Sequence, residues 1–409
     1  MELFDGKEWL TSPAPFPVGN ELAEELEKLG YRLHLFVQAC NQLYFQSVKG
    51  RQPGWIAGLL DRGKPPELVE LGRRNRQEIP AVIRPDLILT DDGFVIAELD
   101  NVPGGIGLTG WLGETYAARG FEILGGAQGV VEGFRSITPQ GADIVVSEES
   151  ATYRPEMRWL ADRLNERHAP VRWRVLDTNA AEWQPTVYRF FELFDLPNVA
   201  CAPGLMASGS RVTPPFKPFL EEKLWFALFW LRPLREFWRR ELGERHFLQL
   251  QRVIPYTWLL DPAPLPPHAV LPGLEVHDWS EVAAFSQKER NLILKISGFS
   301  ELAWGGRGVH VAADLPQHEW RTVLEQALGC YERQPYVLQE FRKGRLVEQP
   351  WVDERGETQR MRGRVRLCPY YFVAEGRANL GGALATVCPA DKKLIHGMRD
   401  AVLMPAGVN

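Results

Sequence analysis

Four residues in the first quarter of the chain have types and spacing that could do chemistry: Arg84, Asp86, Glu98 and Asp100. They lie in the run from Arg84 to Gly110, RPDLILTDDGFVIAELDNVPGGIGLTG. Ile83 to Leu89 is aliphatic and β-branched and reads as a strand. Thr90-Asp91-Asp92-Gly93 supplies a turn with an Asp-Gly signal, and Phe94 to Leu99 runs back. Side chains alternate faces along a strand, so Arg84 and Asp86 share one face, as do Glu98 and Asp100. A hairpin sets the start of its first strand beside the end of its second, so three carboxylates and an arginine should meet at one end. Carboxylates so placed repel one another unless a cation sits between them. Hard oxygen donors of this kind suit magnesium, which in turn carries phosphates. The plainer alternative is a surface hairpin with scattered charges.

A second set of residues points the same way. Lys295 ends a strand over Asn291 to Ile296 and precedes a glycine-rich segment, Ser297 to Gly308, SGFSELAWGGRG, which includes Gly305 and Gly306. A lysine there can reach triphosphate oxygens while backbone N–H groups of the loop close over them. A surface lysine beside a turn is the alternative. The segment is not a Walker A loop, since Gly63-Lys64 is followed by Pro65 and no other Gly-Lys precedes Ser or Thr. Tyr336 to Glu340, YVLQE, can edge an adenine through backbone groups of Leu338 to Glu340, or can be a plain buried strand. Gly105-x-Gly107-x-x-Gly110 also spells a dinucleotide fingerprint. Glu98 and Asp100 just ahead of it would repel a pyrophosphate, and no strand ending in an acid follows at the usual distance.

The elements that must position these residues alternate in type. Asn20 caps a long amphipathic helix to about Gln46, with Leu22, Leu26, Leu29, Leu33, Phe36 and Val37 at helical spacing. Shorter helical pieces near 54–62 and 66–77 lead to the hairpin. A helix covers Trp111 to Arg119. Ala142 to Ser147, a helix over Pro155 to Arg167, and Val171 to Leu176 form a βαβ unit, which implies a parallel sheet. Val187 to Phe194 is a further strand and Arg211 to Pro215 a linker-like bend. Lys217 to Trp238 is helical and aromatic, and Pro262 to Pro272 is a Pro-rich connection. Strands recur at Val309 to Ala312 and near 345–352, 364–374, 381–387 and 400–404, with a helix over Glu319 to Leu328.

Composition narrows the class. The chain has 409 residues, 45% hydrophobic and 24% charged, which is ordinary globular material for two or three domains. A net charge of −5 argues against general nucleic-acid binding. No apolar window reaches the length of a membrane span; Leu224 to Leu234 is interrupted by Arg232 and Pro233. The opening Met1 to Asp5 lacks a basic region and a long apolar run, so no secretory leader is expected. The five cysteines are odd in number and widely spaced, with no CxxC pair, which fits a reducing cytoplasm and not a zinc cluster. The eight histidines form no HExxH.

Carboxylates with an arginine, and lysines with a glycine loop, are together what magnesium-ATP needs. The combination resembles the ATP-grasp ligases, and more closely their glutathionylspermidine synthase-like branch. In ordinary ATP-grasp enzymes the lysines come first and the metal carboxylates last; here the carboxylates come first, as in the circularly permuted branch. That branch has an Arg-x-Asp strand and then Glu-x-Asn twelve residues after the Asp. This chain has Arg84-Pro-Asp86 and Glu98-Leu-Asp100 at that spacing, with Asp where Asn is usual. The resemblance implies that Asp86, Glu98 and Asp100 hold magnesium and that Arg84 faces the transferred phosphate. The family's P-P-W-K segment matches Pro214-Pro-Phe-Lys217, followed by Glu222-Lys223 and a Leu/Trp-rich helix; Lys223 is then the first ATP lysine and Lys295 the second. Gln339 and Glu340 match the adenine hinge. The family's C-terminal Gly-x-Gly-x-Arg strand has its counterpart in Gly381-Gly382-Ala-Leu-Ala-Thr386, without the arginine, and Arg364 or Arg366 on the preceding strand could substitute.

The expected architecture is α/β (α+β), a circularly permuted ATP-grasp fold. Residues 1–82 form an N-terminal helical layer. Residues 83–210 carry the metal-binding hairpin and a βαβ pre-ATP-grasp unit. Residues 211–409 form the ATP-binding lobes and a C-terminal sheet. The expected reaction joins a small-molecule or peptide carboxylate to an amine through an acyl phosphate, using ATP and Mg2+. A catalytically degenerate ATP-binding protein and a dinucleotide-dependent oxidoreductase are the rivals.

Overall fold

The computed structural model describes residues 8–303, 306–396 and 399–408. Its contacts divide the chain into two units. The first comprises Met1–Gln38, Gln77–Phe216 and Lys343–Asn409, and the second comprises Ala39–Arg76 and Lys217–Arg342. The long helix, Asn20–Val48, contributes residues to both. Leu26, Leu29, Leu33 and Phe36 recur at three- and four-residue intervals along it and are fully buried, which is why this stretch is a helix with one apolar face.

The first unit holds two sheets. In the larger, the hairpin strands Val82–Thr90 and Gly93–Asp100 extend a mostly antiparallel array built on Thr358–Ala374, Arg377–Pro389 and Val402–Val408. The Thr358–Ala374 strand changes partner along one edge: residues 358–364 pair with Leu346–Val352, and residues 366–372 with the first hairpin strand. The C-terminal strands, grouped with the nucleotide lobes in the sequence reading, are therefore part of the hairpin's own sheet. The side chains of Leu87, Leu89, Phe94 and Ile96 make the buried face of the hairpin.

The second sheet of this unit is parallel throughout, in the order Trp173–Leu176, Ala142–Val146, Thr186–Phe190, Arg211–Thr213. The helix Arg154–Arg167 is the crossover of its βαβ step. Ala142–Val146 is buried at every residue, as a central parallel strand covered on both faces must be. Arg211–Thr213, expected as a bend, adds a fourth strand because Val212 and Thr213 are β-branched and buried.

The second unit carries an antiparallel sheet in the order Val309–Val311, Leu292–Ile296, Tyr336–Glu340, Thr257–Leu259. Its core is aromatic: Trp258, Trp279 and Trp320 pack with Leu260, Leu294, Leu324 and Leu338. No helix among the described residues is long and apolar enough to cross a membrane.

Candidate functional site

The hairpin register places Arg84 opposite Asp100 and Asp86 opposite Glu98. A two-residue turn with strict alternation would not do this. Leu87 pairs with Ile96 while Asp86 pairs with Glu98, so Ala97 is an extra residue, a β-bulge. Because the side-chain period is two, that one residue turns Glu98 and Asp100 onto the face of Arg84 and Asp86. Without the bulge they would point with Leu87 and Ile96 into the apolar layer.

Arg84 then lies between two carboxylates. Its Nε donates to Asp86 Oδ1 at 3.0 Å, its Nη2 lies 2.8 Å from Asp100 Oδ2, and its Nη1 donates to the Gly104 carbonyl at 2.9 Å. Arg366, on the neighbouring strand, donates through Nη1 to Asp86 Oδ2 at 2.9 Å. Cys368 Sγ lies 3.4 Å from Asp86 Oδ1, and the Tyr370 hydroxyl donates to Gly104 at 2.6 Å. The alternation Arg366-x-Cys368-x-Tyr370 sets all three on this face. That pattern was readable in the sequence, but Cys368, Tyr370 and Gly104 were not singled out.

The charges respond to one another. Burial works to raise the Asp86 carboxyl, but Arg84 and Arg366 outweigh it and hold it below the usual carboxylate range. Burial pushes the Asp100 carboxyl up; Arg84 opposes the rise, and Asp86 and Glu98 add to it. Burial pushes the Cys368 thiol up to about 12, so it is a neutral neighbour and not a nucleophile. With three carboxylates against two guanidinium groups, the cluster keeps a negative excess.

That excess and the hard oxygen donors fit magnesium in kind. Their placement fits it less well: among the described residues, no three His, Cys, Asp or Glu side chains are arranged to hold a metal ion. The cation that separates Asp86 from Asp100 is Arg84. A metal bound by both carboxylates would require that arginine to release at least one of them. Two arginines, Arg84 and Arg366, already answer part of the repulsion that the sequence assigns to a metal.

Arg364 and Arg366, two residues apart, have different roles. Arg366 faces Asp86. Arg364 is spent on backbone carbonyls, donating through Nε to Gly344 at 3.1 Å and through Nη1 to Ala390. It braces the point where the long strand changes partner.

The glycines at 105, 107 and 110 serve packing. Gly105 opens the helix Ile106–Ala117 with a φ of 86°, and its N–H donates to Glu156 Oε1 at 2.7 Å. A Cβ on Gly107 would overlap the Glu156 carbonyl, and one on Gly110 would press on Trp159. These glycines let two helices approach closely, and a protein carboxylate meets the helix N-terminus where a pyrophosphate would have to lie. The strands before this helix are antiparallel, so the dinucleotide arrangement of a βαβ unit is not present.

In the second unit, Lys295 is buried and its Nζ donates to Gln339 Oε1 at 2.8 Å, while Gln339 Nε2 donates to Thr257 Oγ1 at 3.0 Å. Ile293 pairs with Gln339 across the sheet, so Lys295 and Gln339 share a face. Lys223, ahead of the helix Leu224–Trp230, donates from Nζ to the Ala303 carbonyl of the glycine-rich segment at 3.2 Å. Gly306 has a φ of 74°, the left-handed conformation open to glycine. Gly305 lies outside the described residues.

The adenine edge expected of Leu338 to Glu340 falls on a strand paired on both sides. Tyr336–Glu340 is an inner strand, paired with Leu292–Ile296 on one side and Thr257–Leu259 on the other. The N–H of Glu340 donates to the Tyr256 carbonyl and that of Phe341 to the Asn291 carbonyl, so these two N–H groups are committed to the sheet. Gln339 contributes its side chain instead, and Glu340 pairs with Arg342 at 2.9 Å. Lys217, the lysine of the Pro214 to Lys217 match, is fully buried, bonded to Asn41 Oδ1 at 2.9 Å, and structural.

No known protein family matches the sequence, and no curated protein does. The fold is shared with a solved protein, the glutathione synthetase-like effector of Globodera pallida in its apo form. The TM-score is 0.57 at 11% identity, over 98% of this chain and 90% of that one. A protein described provisionally as a gamma-glutamylcysteine synthetase, from Methylobacillus flagellatus KT, aligns over the same shares at 13% identity, with a TM-score of 0.44.

Proposed function

We propose that the chain is an ATP-dependent carboxylate–amine ligase, with an ATP-grasp fold in the circularly permuted order of glutathionylspermidine synthase-like enzymes. The observation that carries this reading is the single face on which Arg84, Asp86, Asp100 and Arg366 are held within bonding distance of one another from three strands. Lys295, Gln339 and Lys223 around the glycine-rich segment support a triphosphate site. The fold likeness to a glutathione synthetase-like effector agrees with it.

In the proposed reaction a substrate carboxylate oxygen attacks the γ-phosphorus of ATP, the bond to the β–γ bridging oxygen breaks, and ADP leaves. The amine nitrogen then attacks the acyl carbon and the carbon–oxygen bond to phosphate breaks. Orthophosphate leaves, and the nitrogen loses a proton as the amide forms. Arg84 and Arg366 spread positive charge over the transferring oxygens, and the lysines orient the nucleotide. Asp86, Glu98 and Asp100 would be the donors for magnesium once Arg84 released at least one of its carboxylates, and the ion would supply charge neutralisation on the phosphates. The acid is a small-molecule or peptide carboxylate, and the screen takes small peptides and amino acids as acids with polyamines and amino acids as amines.

The test is carboxylate-dependent ADP release, with hydroxylamine trapping the acyl phosphate as a hydroxamate, preceded by thermal-shift measurements with ATP–magnesium and with NAD. Stabilisation by NAD alone would sink the ATP reading. Binding of ATP with no ADP release across a broad set of acids would favour a nucleotide-binding protein without turnover. The position of Arg84 between its carboxylates and the threonine at 386, where the resembled family has an arginine, are the observations on that side.

A further inference from the structure

The peptide bond between Gly104 and Gly105 is held at both of its polar ends. Its carbonyl, on Gly104, accepts from Arg84 Nη1 at 2.9 Å and from the Tyr370 hydroxyl at 2.6 Å. Its N–H, on Gly105, donates to Glu156 Oε1 at 2.7 Å. The C=O and N–H of a trans peptide point in opposite directions, so Arg84 and Glu156 lie at opposite ends of one planar unit. Neither glycine leaves room for a side chain: a Cβ on Gly104 would overlap the Tyr153 ring, and one on Gly105 the Tyr370 hydroxyl. Glu156 is fully buried on the helix Arg154–Arg167. A buried carboxylate is costly unless it is bonded or paired, and this one is committed to a backbone amide beside the arginine cluster.

We infer that Glu156 is a positioning residue for Arg84, acting through the Gly104–Gly105 peptide. A carboxylate at the N–H end and a guanidinium at the C=O end both suit the dipole of the peptide between them, and hydrogen bonds in such a chain strengthen one another. Gly105 is also the N-cap of Ile106–Ala117, so the same carboxylate meets the positive end of that helix. Arg84 divides its donors among Asp86, Asp100 and Gly104. The carboxylates are what it must partly release to a metal; the Gly104 carbonyl is the contact it keeps. What this does for turnover rests on the ligase reading. The coupling of Glu156 to Arg84 does not.

The experiment is a double-mutant cycle followed by urea unfolding, with the wild-type chain, Glu156→Gln, Arg84→Gln and the double variant. Glutamine at 156 keeps the shape and an acceptor oxygen and removes the charge. Each single variant is expected to be less stable than the wild type. The double variant should lose less than the sum of the two, by about fivefold in the unfolding equilibrium constant. A carboxylate that only caps its helix would give additive losses, and additivity would overturn the proposal. If Glu156→Gln does not fold, Glu156→Asp, which keeps the charge and shortens the reach, takes its place in the cycle with the same two outcomes. In ADP release, Glu156→Gln should lower kcat about tenfold and leave the KM for ATP within about twofold, because Arg84 acts on the transferring phosphoryl group. A raised KM with unchanged kcat would also overturn the positioning role. A wild-type chain that releases no ADP removes the ligase reading, and the cycle alone then decides for or against Glu156.

Discussion

Arg366 and Asp86 are separated by 280 residues in sequence and by 2.9 Å in space. The bond runs between adjacent strands, so the hairpin carboxylate is fully paired only once the C-terminal strands have joined its sheet. Asp86 accepts from two arginines while 6% exposed, and that placement makes it the electrostatic centre of the cluster.

Asp86→Asn should therefore destabilise the folded protein by about 3 kcal/mol near neutral pH, since removing one partner of a buried ion pair leaves uncompensated charge. The sign with pH follows from the lowered carboxyl. A depressed pKa contributes stability that is present above the unfolded value, roughly 3.9, and is lost as pH falls through the folded value. Urea unfolding of both proteins should show a gap that is wide at neutrality and narrows in acid below about pH 4. A gap independent of pH would mean that charge is not its source.

Arg84 separates the same carboxylates, and its removal gives the metal question a direct answer. In Arg84→Gln, Asp86 and Asp100 lose their shared cation, and a divalent ion becomes the remedy. Magnesium chloride without nucleotide should raise the melting temperature of Arg84→Gln more than that of the wild type, by a few degrees. If the two proteins respond alike, Asp86 and Asp100 are not joint metal donors.

Much of this cluster was legible in the sequence because alternation is a strong rule: Arg84 with Asp86 and Glu98 with Asp100 needed only a hairpin. What brings the two pairs to one face is the bulge at Ala97, and nothing in Ala97 or its neighbours announces it. The joining of Arg366 to Asp86 was out of reach for another reason. Strand order in a sheet is a long-range property, and local pattern gave the C-terminal strands without their partners. The Gly105 to Gly110 motif shows the converse, a local pattern that helix packing accounts for.

Lys295 and Gln339 form the corresponding pair in the second unit. Lys295→Met keeps the length of the side chain and leaves Gln339 Oε1 without the ammonium donor it has now. ATP affinity should fall by roughly 2 kcal/mol, about thirtyfold, the value of a hydrogen bond to a charged group. Equilibrium binding of a fluorescent ATP analogue measures this. Unchanged affinity in a folded Lys295→Met protein would remove Lys295 from the nucleotide site.

Lys64 and Glu222 test how the glycine-rich segment is held. Both side chains are 1% exposed and they form an ion pair. Glu222 also accepts from the Ser297 hydroxyl, and Ser297 Oγ accepts from the Leu224 N–H at 2.9 Å, which ties the start of the segment to the helix behind Lys223. A Cβ on Gly298 would overlap the Glu221 carbonyl, so the backbone approach is as close as glycine permits. Lys64→Met should cost about 3–5 kcal/mol, because it strands a buried carboxylate. Glu222→Gln added to it should recover part of that loss: the amide carries no charge and its oxygen still accepts from Ser297. The double variant would then be more stable than Lys64→Met alone, a non-additivity expected of residues in one network. Chemical denaturation of the wild type, Lys64→Met and the double variant decides it. If Lys64→Met and the double variant unfold at the same denaturant concentration, the stranded charge is not what the lysine prevents, and the anchor of the segment lies in Ser297 and Gly298 alone.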